Sequence, residues 1–172
     1  NRFLEVIDES KYQKLHDLLS YNKVLVFNLG FNKKSKLTQE NWIYVPDPNI
    51  NFYRIGFYDN ILDTNKLSMY IEIGYPKDVK ITSSMIEEQL KLTLENLKQM
   101  DILTDDMKLE EYVALIMDPA YVHISTKTDK MVKEFMNDMD SKNVYSIGRY
   151  GAWTYCSMED SMLKAKELAE RI

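Results

Sequence analysis

Cysteine is nearly missing from this chain of 172 residues, where Cys156 is the single one. An internal disulfide framework is therefore excluded, and a reducing compartment fits. With neither histidine near it in sequence, Cys156 reads as a small packed residue rather than a nucleophile. Glycine is scarce too: five occur, at positions 30, 56, 74, 148 and 151, and no Gly-x-Gly-x-x-Gly phosphate cradle can be written from them. His16 and His123 are too isolated for metal-ligand spacing. No apolar run approaches the roughly 18 residues of a membrane span. Basic residues are in deficit, and a net charge of -5 argues against a nucleic-acid surface. Residue 1 is Asn, with no charged and then apolar leader after it, which predicts a start inside a longer polypeptide, with any targeting information upstream; the expected location, in keeping with the single cysteine, is cytoplasmic.

What is present is a core. Hydrophobic residues make up 45% of the chain and aromatics 12%, which suits a folded domain rather than a disordered one. Lys33, Lys34 and Lys36 form the compact basic cluster and read as a solvated hairpin loop. Acidic pairs such as Asp105/Asp106 and Glu110/Glu111 read as solvated charge, not as catalytic carboxylates.

Periodicity gives a mixed α and β pattern. Tyr12, Leu15 and Leu19 share a helical face, and Val24 to Leu29 reads as a buried strand. Asn41 to Val45 is a strand stopped by Pro46 and Pro48, with Phe52 to Tyr58 as its antiparallel partner. Alternation puts Tyr53, Ile55 and Phe57 on one face of that partner and Phe52, Arg54, Gly56 and Tyr58 on the other. Leu67, Met69, Ile71 and Ile73 alternate in a further strand, leaving Tyr70, Glu72 and Gly74 on its polar face. Ser84 and Glu87 predict a capping box for a helix carrying Ile86, Leu90, Leu94 and Leu97. A strand over Tyr112 to Met117 is expected to break at Asp118-Pro119, before a helix with Val132, Phe135, Met136 and Met139 on one stripe.

The C-terminal stretch from Gly148 to Asp160 is the richest in chemistry. It lies between an expected strand, Asn143 to Ile147, and a helix with Ser157 as N-cap and Asp160 three residues on. Two glycines, the planar donor fork of Arg149 and the unpaired N–H groups of a helix start suit an anion or an electron-rich carbonyl. The last helix is expected to bury Met158, Met162, Ala165, Ala169 and Ile172 against a sheet, yet only one strand is available from residue 140 onward. The missing sheet is expected upstream of residue 1.

The segment Gly148-Arg149-Tyr150-Gly151-Ala152-Trp153-Thr154-Tyr155-Cys156-Ser157-Met158 resembles the Gly-Arg-x-Gly/Ala-Thr-Tyr-x-Tyr-x-Asp-Met segment of UDP-galactopyranose mutases. Flavoproteins of the protoporphyrinogen oxidase and amine oxidase superfamily close their FAD domain in a similar way. Trp42-Ile43-Tyr44 with Phe52-Tyr53-Arg54, and Pro119-Ala120-Tyr121, resemble further segments of that group, in the same order along the chain. Three positions depart from the mutase pattern: Ser157 stands where an aspartate is found, Thr154 where a basic residue is common, and Val122 where a proline usually follows the tyrosine.

The resemblance implies an α+β fold: a mainly antiparallel substrate-domain sheet covered by helices, plus the closing strand–helix of a mostly absent Rossmann-type FAD domain. Expected boundaries are a lead-in helical segment over 1–20, the substrate domain over 21–128 and a helix–strand–helix over 129–172. It implies FAD as cofactor of the parent protein, held in part by Gly148, Arg149, Ser157, Met158 and Glu159, with no tight binding to this chain alone. It implies Arg54, Tyr121 and Tyr155 as substrate-binding residues gripping a diphosphate. In the mutases, reduced flavin acts as the nucleophile at the sugar's anomeric carbon. The expected partner is a nucleotide sugar or another small molecule, with a homo-oligomer allowed and no metal. An amine-oxidase-like oxidoreductase and a non-catalytic binding domain are the alternatives.

Overall fold

The computed structural model describes residues 9–172, with side-chain environments from residue 13 onward. Tyr12, placed on a helical face from sequence, has its side chain outside the described set. In chain order the elements are α1 (Glu9–Leu18), β1 (Ser20–Phe31), β2 (Trp42–Tyr44), β3 (Arg54–Phe57), α2 (Tyr58–Leu62), β4 (Ser68–Pro76), α3 (Ser83–Gln99), β5 (Leu109–His123), α4 (Thr126–Asp140), α5 (Gly148–Gly151) and α6 (Met158–Arg171). The fold is α+β, with one five-stranded antiparallel sheet of order β2-β3-β4-β1-β5. Contacts divide the chain into two compact units, Asn1–Asn22 with Pro119–Ile172, and Lys23–Asp118.

The second of these units holds the main core. Leu25, Phe27, Leu29 and Phe31 of β1 join Ile55 and Phe57 of β3 and Met69, Ile71 and Ile73 of β4, as strand alternation requires. From α3, Leu97 is fully buried, and Ile86, Leu90 and Leu94 pack against the same cluster. Two polar residues of α3 are buried as well, and both are satisfied. Asn51 donates to Thr93 Oγ1 at 3.0 Å and accepts from Asn96 Nδ2 at 2.9 Å, tying the loop before β3 to the helix.

Several local expectations change. Lys33, Lys34 and Lys36 lie in no hairpin, because β3 and β4 separate β1 from β2 in the sheet. These lysines pin a crossover instead: Lys33 pairs with Asp106, Lys36 with Asp101 at 3.2 Å, and Lys34 donates to the Thr64 carbonyl at 3.0 Å. Helix α3 begins earlier than its predicted box, with Thr82 as N-cap accepting from the Met85 amide at 3.3 Å. The earlier start gains a further helical bond, from the Ile86 amide to the Thr82 carbonyl.

Strand β5 runs through Asp118-Pro119 rather than stopping there. It is an edge strand, the place in a sheet where a proline is tolerated. Phe52 is buried although alternation puts it opposite Ile55, because it precedes β3 and is not bound by the strand's alternation.

In the other unit, residues 143–147 form no strand. Asn143 takes a left-handed φ of 57°, the Asn143 amide bonds the Asp140 carbonyl, and the Val144 amide bonds the Met139 carbonyl. These bonds have the pattern of a Schellman motif, which closes α4 and spends amides a strand would need. The stripe of α4 behaves as predicted, with Val132 and Met139 buried. Helix α6 does not: none of its residues is buried, and Met158 and Met162 are 82% and 68% exposed.

Candidate functional site

Arg149 is the centre of one group of residues, all within the unit that includes the C-terminus. It sits on the one-turn helix α5, entered through Gly148 at a φ of +80°, where a side chain would be strained. Its Nε and Nη2 both donate to the Cys156 carbonyl, at 3.3 and 2.8 Å. That bidentate grip folds residues 149–156 into a closed loop ahead of α6. Gly151 completes the loop, because a Cβ there would stand 2.8 Å from Ser146 Oγ, which itself donates to the Gly151 carbonyl at 2.9 Å.

The loop carries Tyr155 to Arg149, whose guanidinium carbon lies 4.9 Å from the Tyr155 ring centroid and 6.0 Å from that of Tyr121. The two rings are near parallel, at 25° with centroids 6.4 Å apart. Each cation–π contact of this kind contributes on the order of 0.5–1 kcal/mol. Tyr121 is held on β5 by its own amide, which donates to Asn22 Oδ1 at 3.0 Å. Tyr150 anchors the same strand from the other side of the sequence, its hydroxyl donating to the Ala120 carbonyl at 3.0 Å. Tyr155 is 66% exposed, so one aromatic ring of the group is open to a ligand.

The start of α6 follows directly. Ser157 Oγ accepts from the Asp160 amide at 3.0 Å, and Asp160 Oδ2 accepts from the Ser157 amide at 2.7 Å, a complete capping box. The Ser157 amide, and then its hydroxyl, hold the Asp160 carboxyl below its ordinary value. Amides of Met158 and Glu159, the first two helical residues, have no carbonyl one turn earlier to bond. They are suited to an acceptor from outside the chain. Cys156 is buried, with its Sγ 3.5 Å from Ser161 Oγ, and it keeps the packed role read for it.

Arg54 belongs to a different group, within the unit Lys23–Asp118. Register aligns Tyr44, Arg54 and Glu72 in one row across β2, β3 and β4, and Trp42, Gly56 and Tyr70 in the next. Arg54 pairs with the Glu72 carboxylate, which also accepts from the Tyr53 hydroxyl. Its guanidinium lies 5.6 Å from the Tyr70 centroid and 6.0 Å from that of Tyr44. A Cβ on Gly56 would be 1.8 Å from Tyr70 Cε1, so glycine is what lets that ring lie across the strand. Tyr58 continues the aromatic face, 5.3 Å from Tyr70 between centroids and donating to Asn28 Oδ1 at 3.1 Å. Burial, and after it the Glu72 charge, hold its phenol above the ordinary value. Trp42 and Tyr44 are 59% and 62% exposed at the margin of this face.

No family model matches the sequence, and no curated protein does. Solved structures do. The fold is similar to part of reduced UDP-galactopyranose mutase. That match has a TM-score of 0.74 at 19% identity and covers 86% of this chain and 32% of the mutase. A protein assigned as a protoporphyrinogen oxidase from Exiguobacterium sp. 255-15 matches with a TM-score of 0.72 at 9% identity, over 99% of this chain and 38% of its own. The chain thus spans about a third of the length of these solved relatives. Both likenesses bear on the fold.

Of the residues picked out from sequence, Arg149, Tyr121 and Tyr155 come together, and Ser157, Met158 and Glu159 adjoin them through the loop. Within the unit Lys23–Asp118, Arg54 is grouped with Tyr44, Tyr70 and Glu72. Sequence reading missed Glu72 as the partner of Arg54. The signal was available, since alternation places Arg54 on one strand and Glu72 and Tyr70 on the next, all on polar faces. What it lacked was the register that sets Arg54 opposite Glu72. A further cleft in the C-terminal unit, lined by Met136, Tyr145, Lys164, Leu168 and Arg171, includes none of the predicted residues.

Proposed function

We propose that this chain is the C-terminal portion of an FAD-dependent enzyme of the UDP-galactopyranose mutase-like branch, acting on a nucleotide sugar in polysaccharide biosynthesis in the cytoplasm. The observation that carries this reading is the assembly of Arg149, Tyr121 and Tyr155, read from two separate motifs, into one cluster beside the start of α6.

The residues fit a flavin in a specific way. Glu159 and Asp160 lie in the first turn of α6, so a phosphate there would meet two carboxylates, whereas the amides of Met158 and Glu159 can donate to a neutral ring carbonyl. Gly148 and Arg149 shape the loop that presents them. Arg149 holds the Cys156 carbonyl and stacks on Tyr155, which fixes the approach to α6 and leaves the Tyr155 hydroxyl for the substrate side. When bound, FAD supplies the nucleophilic or redox chemistry that none of these side chains has. The residues of the cluster bind and orient.

Arg54 favours a second reading. Its charge is already paired with Glu72, which weakens the case for a diphosphate clamp and suits an oxidoreductase of the protoporphyrinogen oxidase or amine oxidase kind, whose substrate carries no diphosphate.

The test begins with the absorption spectrum of the full-length protein. A flavin spectrum is expected, and a colourless protein that takes up no added FAD rejects both readings. Stoichiometric FAD binding by residues 1–172 alone would contradict the split cofactor site. If the protein is yellow, nucleotide-sugar affinity is compared in Tyr155→Phe and in the paired variant Arg54→Met with Glu72→Gln, which leaves no stranded charge. Roughly tenfold weaker binding in either supports the mutase reading; unchanged affinity in both rejects it in favour of the oxidoreductase.

A further inference from the structure

Four non-glycine residues among those described take a left-handed φ, and three of them, Asp63, Asp101 and Asn143, are of the short polar types that tolerate it. The fourth is Trp153, at 44°. It stands directly after Ala152, the C-cap of α5, and the Thr154 amide beyond it bonds the Arg149 carbonyl at 2.9 Å. That bond is the long closure of a Schellman motif, whose left-handed position is ordinarily a glycine. A bulky side chain there is strained, and such strain persists only where the surroundings over-determine it.

What holds Trp153 in place is its ring. The indole packs edge-to-face on Tyr21 of β1, with centroids 6.0 Å apart at 75°. Its Nε1 is buried without a hydrogen-bond partner among the described residues, so no hydrogen bond of the indole accounts for the tryptophan. Next to Tyr21 is Asn22, whose Oδ1 accepts from the Tyr121 amide. The first residues of β1 thus hold both halves of the aromatic pair: Tyr121 through Asn22, and the loop that carries Tyr155 through Tyr21.

We propose that Trp153 is a positioning residue for Tyr155. The loop tolerates a left-handed tryptophan because its packing on Tyr21 sets the Tyr155 ring against Arg149 and alongside Tyr121. A glycine at 153 would suit the backbone better and lose that placement. The importance of Trp153 to a ligand rests on the reading of Tyr155 as ligand-facing, whereas its hold on the Tyr155 ring does not.

Fluorine NMR of the full-length protein labelled with fluorotyrosine tests this, with the Tyr155 and Tyr145 lines identified by their loss in Tyr155→Phe and Tyr145→Phe. Tyr145 is the control, since it belongs to the same unit but lies under the Arg171 guanidinium instead. Trp153→Gly and Trp153→Ala should both move the Tyr155 line toward that of an unstacked tyrosine and leave the Tyr145 line in place. Trp153→Phe should keep the parent position, and Tyr21→Ala, which leaves the loop sequence untouched, should reproduce the shift. In urea the glycine variant should outlast the alanine one, reversing the usual order, because only glycine is unstrained at positive φ. Stability then ranks glycine above alanine while ring position does not separate them, a divergence that a merely structural role would not produce. A Tyr155 line unmoved in Trp153→Gly, Trp153→Ala or Tyr21→Ala, a shift that persists in Trp153→Phe, a Tyr145 line that moves with it, or an alanine variant as stable as the glycine one overturns the proposal. No readout uses cofactor or substrate, so this proposal and the flavin reading can fail separately.

Discussion

Gly56 shows how one missing methyl group organises a face. With hydrogen in place of Cβ, β3 lets the Tyr70 ring lie across it, and that ring then reaches both Arg54 and Tyr58. Gly56→Ala must push the ring away and break this arrangement. Overpacking of this kind costs about 1–3 kcal/mol, which urea unfolding would register. Tyr70→Ala removes the obstacle, so Gly56→Ala should cost less in that background than in the parent. If Gly56→Ala is as costly without the ring as with it, the clash is not the cause. Arg54 obeys a similar logic. Its partner Glu72 is buried, so truncating the arginine alone strands a carboxylate, with a typical cost of about 3–5 kcal/mol. Strand alternation made the face of Arg54 legible from sequence. Its neutralisation by Glu72 was not, because a cross-strand partner is fixed by register rather than by anything within either strand.

The start of α6, set by local chemistry, was legible. The cap of α6 involves residues three apart, and Ser157 and Asp160 form the box their spacing predicts. Ser157→Ala should cost about 1 kcal/mol, the usual value of an N-cap. α6 buries none of its residues fully, so packing gives the first turn little support once the cap is gone. The loss should therefore appear as faster amide exchange confined to the start of α6, and uniform acceleration across the unit would contradict a local role for the cap. Two other stretches were less legible. Asn143 to Ile147 has the composition of a strand, but Asn143 adopts the left-handed conformation that ends α4, and the amides of Asn143 and Val144 go to the helix. Asp118-Pro119 reads as a break, yet β5 passes through it because it lies at the sheet edge.

At the scale of the whole molecule, a surface ion pair links the crossover after β1 to the turn before β5. The Lys33 ammonium, followed by the Thr104 hydroxyl, holds the Asp106 carboxyl at about 2, below its ordinary value of 3.8. A depressed carboxylate stabilises the folded state above its unfolded pKa and loses that contribution as pH falls through the folded value. The acid limb contributed by Asp106 thus lies between about 4 and about 2. Asp106→Asn should make stability less pH-dependent in that window and leave the slope above about pH 5 unchanged, as measured by denaturant unfolding across pH. High salt should weaken the effect, since the pair is exposed.

The sequence by itself determined the α+β class, the alternating faces of β3 and β4, the apolar stripes of α3 and α4 and the capping box of α6. All of these arise from interactions within a few residues. Tertiary structure decided the strand order that turns a basic hairpin into a crossover, the row that joins Arg54 to Glu72, the meeting of Tyr121 with Arg149 and Tyr155, and the place of β5 at the end of the described sheet. Each depends on which distant segments are brought together. That choice rests on packing and backbone pairing summed over the whole fold, and no local pattern encodes it.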